Sequence, residues 1–138
     1  MGCSDIERLM QYFNGVSEMM ELFEALDKKV RAAFPKSTRR IQKSQISYDA
    51  QGHLFCALSK PVHRQKGWPA VSMILTFGLG TPLDSPRIFQ VVQPYPGRWT
   101  HHTLLAAPEE LDQEMLGFLG QAWAFTLLKF QSRGRGFS

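Results

Sequence analysis

The chain has 138 residues, of which 43% are apolar and 20% are charged, and its formal net charge is +4. These values fit one globular domain with a real core and exclude a disordered chain. No run approaches the roughly 18 apolar residues of a membrane-spanning helix, and Asp5, Glu7 and Arg8 interrupt any apolar signal core, so we expect neither feature.

Two helices are predicted at the start of the chain. Apolar residues at helical spacing predict a short helix over residues 6–13, which Asn14 and Gly15 end in a left-handed conformation. Ser17 is the predicted N-cap of a second, amphipathic helix over residues 18–34. The apolar stripe of this second helix consists of Met19, Leu22, Phe23, Leu26, Val30 and Phe34.

Between residues 37 and 105 the apolar pattern changes to a period of two, which is typical of strands with one buried face. The first predicted strand bends near Lys43. The third ends at Gly78 and Gly80, and a turn at Tyr95-Pro96-Gly97 connects the fourth strand to the fifth. Short turns between successive strands favour antiparallel pairing. The predicted strands cover residues 39–48, 53–59, 71–77, 87–93 and 98–105.

Pro108 opens the last predicted helix, in which Glu109 and Glu110 complement the positive end of the helix dipole. We therefore predict an α+β fold in which N-terminal and C-terminal helices flank an antiparallel sheet of about five strands in a two-layer packing. The helical stripes and one sheet face predict a core of Leu22, Phe23, Leu26, Met73, Leu75, Phe77, Leu111, Met115 and Leu119.

The predicted domain organisation is simple. One α+β domain spans residues 17–130, and residues 1–16 form an N-terminal extension that carries the short helix. Residues 131–138 are rich in glycine and serine and contain Arg133 and Arg135, so a flexible basic tail is predicted there.

The cysteines and histidines argue against a metal site. Cys3 and Cys56 provide neither a disulfide framework nor metal-ligand spacing, and Cys56 lies in an apolar run where it behaves as a small hydrophobe. The neighbours His101 and His102 point to opposite faces of a strand, so they do not converge on one ion. We predict a reduced, cytoplasmic protein without a metal, a cofactor or a membrane partner.

The segment PYPGRWTHHTLL, residues 94–105, concentrates the groups that an active or binding site would use. Strand alternation puts Trp99 and His101 on one face and Arg98 and His102 on the other. His101 is therefore expected to be the more buried histidine and to be hydrogen-bonded within the fold. His102 is the better candidate for contact with a ligand.

Two further groups of polar residues complete the candidate site. Arg87 and Arg98 lie on predicted strands that flank one turn, so they are expected to share a carboxylate from Asp84 or from a ligand. Arginine, lysine and histidine donors together suit a carboxylate or a phosphate. In the alternative interpretation, Asp84 pairs with an arginine and the set is a structural network. One face of the first strand adds Lys43, Gln45 and Ser47.

Five short segments are informative in combination: KSQIS (43–47), TFG (76–78), DSPRI (84–88), PGRWTHH (96–102) and PEELD (108–112). Together they resemble DUF 5655, a bacterial domain family of unknown function, over roughly residues 19–128. The resemblance implies an α+β domain with helices packed on an antiparallel sheet. It implies no established activity.

Three functional hypotheses follow, and none assigns a catalytic residue. The favoured one is a non-enzymatic binding module for a small anionic ligand or a partner protein. A hydrolase with His101 or His102 as its base ranks last, because neither a nucleophile nor a metal site is visible. The alternative is an accessory nucleic-acid-binding domain that uses Arg39, Arg40, Lys43, Arg64 and Lys66.

Overall fold

The computed structural model describes the backbone of residues 4–135 and the side chains of residues 4–130. Within that range, three helices and six strands form an α+β fold, with one 3-10 turn at Pro108–Glu110. The elements are α1 Asp5–Phe13, α2 Ser17–Ala33, β1 Thr38–Ile41, β2 Ile46–Ala50, β3 His53–Ser59, β4 Met73–Leu79, β5 Gln90–Tyr95, β6 Arg98–Leu105 and α3 Gln113–Arg135.

The first two helices form a hairpin with a tight turn. Asn14 ends α1 in the left-handed conformation, with φ of 52°, as predicted. The prediction that Ser17 is the N-cap of α2 is wrong, because Ser17 is the first helical residue and Val16 occupies the cap. The Val16 N–H donates to the Phe13 carbonyl at 3.0 Å, and this short turn brings the start of α2 forward by one residue.

The sheet has six antiparallel strands in the order β1-β2-β3-β4-β6-β5. The strand predicted over residues 39–48 is in fact two strands, because the chain reverses between Gln42 and Gln45, whose backbone groups bond at 2.9 Å. This turn contains no glycine or proline, the residues that most often mark a turn. The sequence pattern therefore hid the reversal and undercounted the strands by one.

Three further boundaries differ from the predicted ones. β4 continues through Gly78, which pairs with Thr100, so the predicted break at that glycine is wrong. β5 begins at Gln90 and not at residue 87, because residues 85–88 form a turn. Pro108 opens only the 3-10 turn, and α3 begins after Asp112, whose carboxylate accepts the Met115 N–H at 3.1 Å.

The three helices pack on one face of the sheet and bury it. All nine predicted core residues are buried, which confirms the assignment of this face. No described helix packs on the opposite face, which we call the open face. The backbone of α3 is helical as far as Arg135, and the last three residues of the predicted tail lie outside the described part. Among the described residues, no helix has the length and apolar character needed to cross a membrane.

Candidate functional site

The strand register determines which side chains share the open face. Phe77 and His101 form a pair on the helix-covered face, so their neighbours Thr76 and His102 form a pair on the open one. One residue from each strand extends this pair into a lateral row across the whole sheet: Arg40, Ser47, Ala57, Thr76, His102 and Gln90. Apart from the small Ala57, this row consists of polar side chains.

Arg98 lies over Gly78 beside this row. A Cβ atom built on Gly78 would lie 2.6 Å from Cζ and Nη2 and 2.8 Å from Nη1 of Arg98. These three nearly equal distances mean that the guanidinium lies flat on the glycine. Within the described part of the chain, the half-buried Arg98 side chain has neither a hydrogen bond nor an ion pair. Its N–H edges are therefore directed along the open face.

Thr76 and His102 form the neighbouring pair. The Thr76 hydroxyl and His102 Nδ1 share a hydrogen bond of 2.9 Å, and the imidazole is half-buried. Burial lowers the pKa of His102, and repulsion from His101 lowers it further. Thr76 lies two residues from Gly78 along β4, about 7 Å at the usual strand rise. We call Thr76, Gly78, Arg98 and His102 the Arg98 cluster.

His101 and Trp99 lie on the helix-covered face, away from this cluster. His101 is fully buried, its Nε2 accepts the Leu83 N–H at 2.9 Å, and its ring stacks on Phe77 with centroids 5.1 Å apart. These contacts confirm that His101 is the more buried histidine and is bonded within the fold. Trp99 is half-buried and pairs with Leu79. Neither residue reaches the open face.

The two histidines are expected to make the protein less stable in acid. Burial lowers the pKa of His101, although the carbonyls of Phe77 and Trp99 act in the opposite direction, and burial also lowers the pKa of His102. An unfolded histidine has a pKa of about 6.5, so below that pH the unfolded chain binds more protons than the folded one. The free energy of unfolding should therefore be constant above about pH 7 and fall as the pH drops below about 6.5.

Urea denaturation between pH 8 and pH 5, together with an NMR titration of both rings, measures this effect. A His101→Gln variant serves as the comparison and should show a shallower loss of stability between pH 6.5 and pH 5. A folded-state pKa at or above 6.5 for both rings would contradict the prediction.

Arg87 is part of a structural clamp and not of the Arg98 cluster. Its guanidinium donates to Asp112 at 2.8 Å and to Glu114 at 3.0 Å, at the start of α3. The hydrogen bond from Arg87 lowers the pKa of Asp112. The prediction that Arg87 and Arg98 share the Asp84 carboxylate is wrong, because Tyr95 pairs with Arg98 and Gln90 already pairs with His102, so Arg87 lies at the opposite end of the β5–β6 hairpin from Arg98. Asp84 is exposed, and no described residue bonds to its side chain.

Lys43, Gln45 and Ser47 lie at the β1–β2 hairpin. Ser47 is fully buried, and Gln45 Nε2 donates to its hydroxyl at 2.9 Å. Lys43 is exposed in the turn. Since β3 and β4 separate β2 from β6, these residues are about 14 Å or more from His102 at ordinary strand spacing. The hairpin residues therefore form a group separate from the Arg98 cluster, and the site predicted from the sequence is not one cluster.

The five basic residues proposed for nucleic-acid binding do not form one surface. Arg39 and Arg40 point to opposite faces, and they pair with Asp27 at 2.9 Å and with Asp49 at 2.6 Å. Arg64 donates to the Pro69 carbonyl in its own loop at 2.8 Å. The remaining two, both exposed, are Lys43 and Lys66. Most of this basic charge is thus engaged within the fold.

Comparison with known proteins identifies the domain. A family model described as "Domain of unknown function (DUF5655)" matches residues 10–126, most of the chain. The chain belongs to the DUF5655 family. No curated protein and no solved structure matches it. The Arg98 cluster of this DUF5655 domain lies inside the matched region, whereas residues 5–9 of α1 lie outside it.

Two members of the Arg98 cluster in this DUF5655 domain, Thr76 and Gly78, were not predicted as site residues. The available signal was the glycine itself, because a glycine inside a strand often marks a close approach by another group. The described residues contain no group of three or more His, Cys, Asp or Glu side chains arranged to hold a metal ion. The expected absence of metals and cofactors stays a prediction.

Proposed function

We propose that this DUF5655 domain is a non-enzymatic binding module whose ligand is a small anion held by the Arg98 cluster. The observation that carries the proposal is the Arg98 guanidinium, half-buried against Gly78 and without an acidic partner among the described residues. Buried or half-buried arginines usually have such a partner, since removing a charge from water is costly. A bound carboxylate or phosphate would take that role.

The geometry around Arg98 supports a planar or tetrahedral oxyanion. A flat guanidinium donates two parallel N–H groups to one carboxylate or phosphate. The Thr76–His102 pair supplies a hydroxyl and an imidazole on the same face, about 7 Å along the strand. A partner protein that presents a carboxylate would use the same groups. The cytoplasmic location and the bacterial source suggested by the sequence stay predictions.

Replacing Gly78 by alanine tests this proposal without removing any charge. The new Cβ would meet the Arg98 guanidinium at 2.6 Å and force it away, which the flexible end of that side chain allows. Isothermal titration calorimetry with inorganic phosphate is expected to show a dissociation constant at least ~10-fold higher for Gly78→Ala and for Arg98→Ala. This factor corresponds to the loss of one charge-assisted hydrogen bond. Gly117→Ala is the matched control, because nothing lies within 4 Å of its added Cβ.

The outcome distinguishes the functional hypotheses. Equal phosphate affinity in the wild type, Gly78→Ala and Arg98→Ala would rule out the Arg98 cluster as the anion site. A steep loss of affinity for single-stranded or duplex DNA with rising salt would favour the nucleic-acid alternative, because binding to many phosphates releases many counterions. A single small anion should show a shallower salt dependence.

A further inference from the structure

A cavity of about 310 Å³ lies between α1 and the β1–β2 hairpin, at the opposite end of the sheet from the Arg98 cluster. This volume lies at the lower end of the range of small-molecule pockets. Its lining consists of Arg8, Gln11, Tyr12, Ile41, Gln42 and Lys43. Two of these residues carry a positive charge, and none carries a negative charge.

A hydrogen-bond chain orients the amide of Gln42. Gln45 Nε2 donates to Ser47 Oγ at 2.9 Å, so the hydroxyl proton of Ser47 is free to donate to Gln42 Oε1 at 2.5 Å. The acceptor atom of the Gln42 amide is therefore occupied, and its remaining atom, Nε2, is a donor. This chain fixes the Gln42 side chain beside the open-face residue Ser47, at the tip of the hairpin that borders the cavity.

Tyr12 forms a fixed wall of the cavity. Its hydroxyl donates to the Ser44 carbonyl at 3.3 Å and accepts the Lys60 N–H at 2.9 Å, so both of its hydrogen-bonding roles are satisfied. The Lys60 ammonium lies 4.5 Å from the centre of the ring and donates to the Tyr12 carbonyl. The tyrosine ring and Ile41 therefore present apolar surface and not further hydrogen-bonding groups.

The charges of the lining determine the class of ligand. Arg8 and Lys43 come from different elements, both are exposed, and neither has an ion-pair partner among the described residues. The lining therefore supplies two cationic donors and no carboxylate. We propose that this cavity binds a small organic phosphate, with the phosphate at Arg8 and Lys43 and a compact apolar group against Tyr12 and Ile41.

This second site is independent of the proposed function. Arg8 precedes residues 10–126, which the DUF5655 model matches, so the site depends on the N-terminal part of this chain. The Arg98 cluster shares none of its residues. Each site therefore has its own variants and its own probe.

Phenyl phosphate added to the full chain, with binding followed by amide shifts in NMR spectra, tests the proposal. We expect saturable shifts at Gln42 and Lys43, and a dissociation constant at least ~10-fold higher for Arg8→Ala and for Gln42→Glu. Gln42→Glu keeps the shape and the Ser47 contact but adds a negative charge. Lys66→Ala, an exposed lysine outside the cavity, is the matched control for loss of charge and should bind like the wild type.

Gly78→Ala separates this proposal from the first one. This substitution should leave the NMR shifts that phenyl phosphate causes at Gln42 and Lys43 unchanged, while it weakens the binding of inorganic phosphate to the Arg98 cluster. The cavity proposal is overturned if Arg8→Ala and Gln42→Glu bind phenyl phosphate as the wild type does. It is also overturned if Lys66→Ala weakens binding as much as they do.

Discussion

Replacing Leu75 by alanine is expected to lower the free energy of unfolding by about 2–5 kcal/mol. Leu75 is fully buried in β4, the strand between β3 and β6, with Leu58 and Thr103 as its cross-strand partners. The helices cover this face of the sheet, so the removed atoms would leave a cavity that the surrounding strands and helices could not fill. The loss combines the transfer free energy of the side chain with the cost of that cavity.

Urea denaturation of the purified protein measures the effect. Leu128→Ala in α3 is the matched control, because that leucine is 64% exposed and its truncation should change the free energy of unfolding by less than ~0.5 kcal/mol. If Leu75→Ala cost no more than Leu128→Ala, then β4 would turn this face to water. The assignment of the buried and open faces would then have to be exchanged.

Removal of the Asp27 carboxylate is expected to cost about 3–5 kcal/mol, the usual effect of breaking a buried ion pair. Asp27 lies in α2 and is only 7% exposed. It accepts the Tyr48 hydroxyl at 2.6 Å and the Arg39 guanidinium at 2.9 Å, so it joins α2 to β1 and β2. Asp27→Ala would leave the buried Tyr48 hydroxyl without its acceptor and the largely buried Arg39 guanidinium with only the exposed Asp5 carboxylate, at 3.2 Å. This loss is the costly part of the change.

The control for Asp27→Ala is Glu24→Ala, which removes an exposed carboxylate from the same helix. Its effect on the urea midpoint should be small. Tyr48→Phe removes only the hydrogen bond from the tyrosine hydroxyl and should cost less than Asp27→Ala, because the Arg39 pair survives. An Asp27→Ala protein as stable as Glu24→Ala would show that this buried pair does not hold the helix on the sheet.

The sequence determined the features that depend on local periodicity. Helical spacing identified the core stripe of α2, including Leu22 and Leu26, because a helix must turn one apolar face to the sheet. Strand alternation likewise separated His101 from His102, since successive side chains on a strand point to opposite faces. These results require only the chain's own geometry.

The composition of the site depended on contacts between distant residues. Arg87 pairs with Asp112 and not with Asp84, because a turn before β5 directs it toward α3, and no local pattern reports that direction. The approach of Arg98 to Gly78 depends on the pairing of β4 with β6, which are not consecutive strands.

The hairpin between β1 and β2 shows the same limit. Its turn lacks glycine and proline, so the sequence around Lys43 predicts one continuous strand. Only the pairing of Ile41 with Ile46 shows that the chain reverses there. That reversal moves Lys43 to the far end of the sheet from His102. Local pattern thus determined which face each side chain occupies, whereas strand order and register decided which side chains meet, because pairing energy comes from residues remote in sequence.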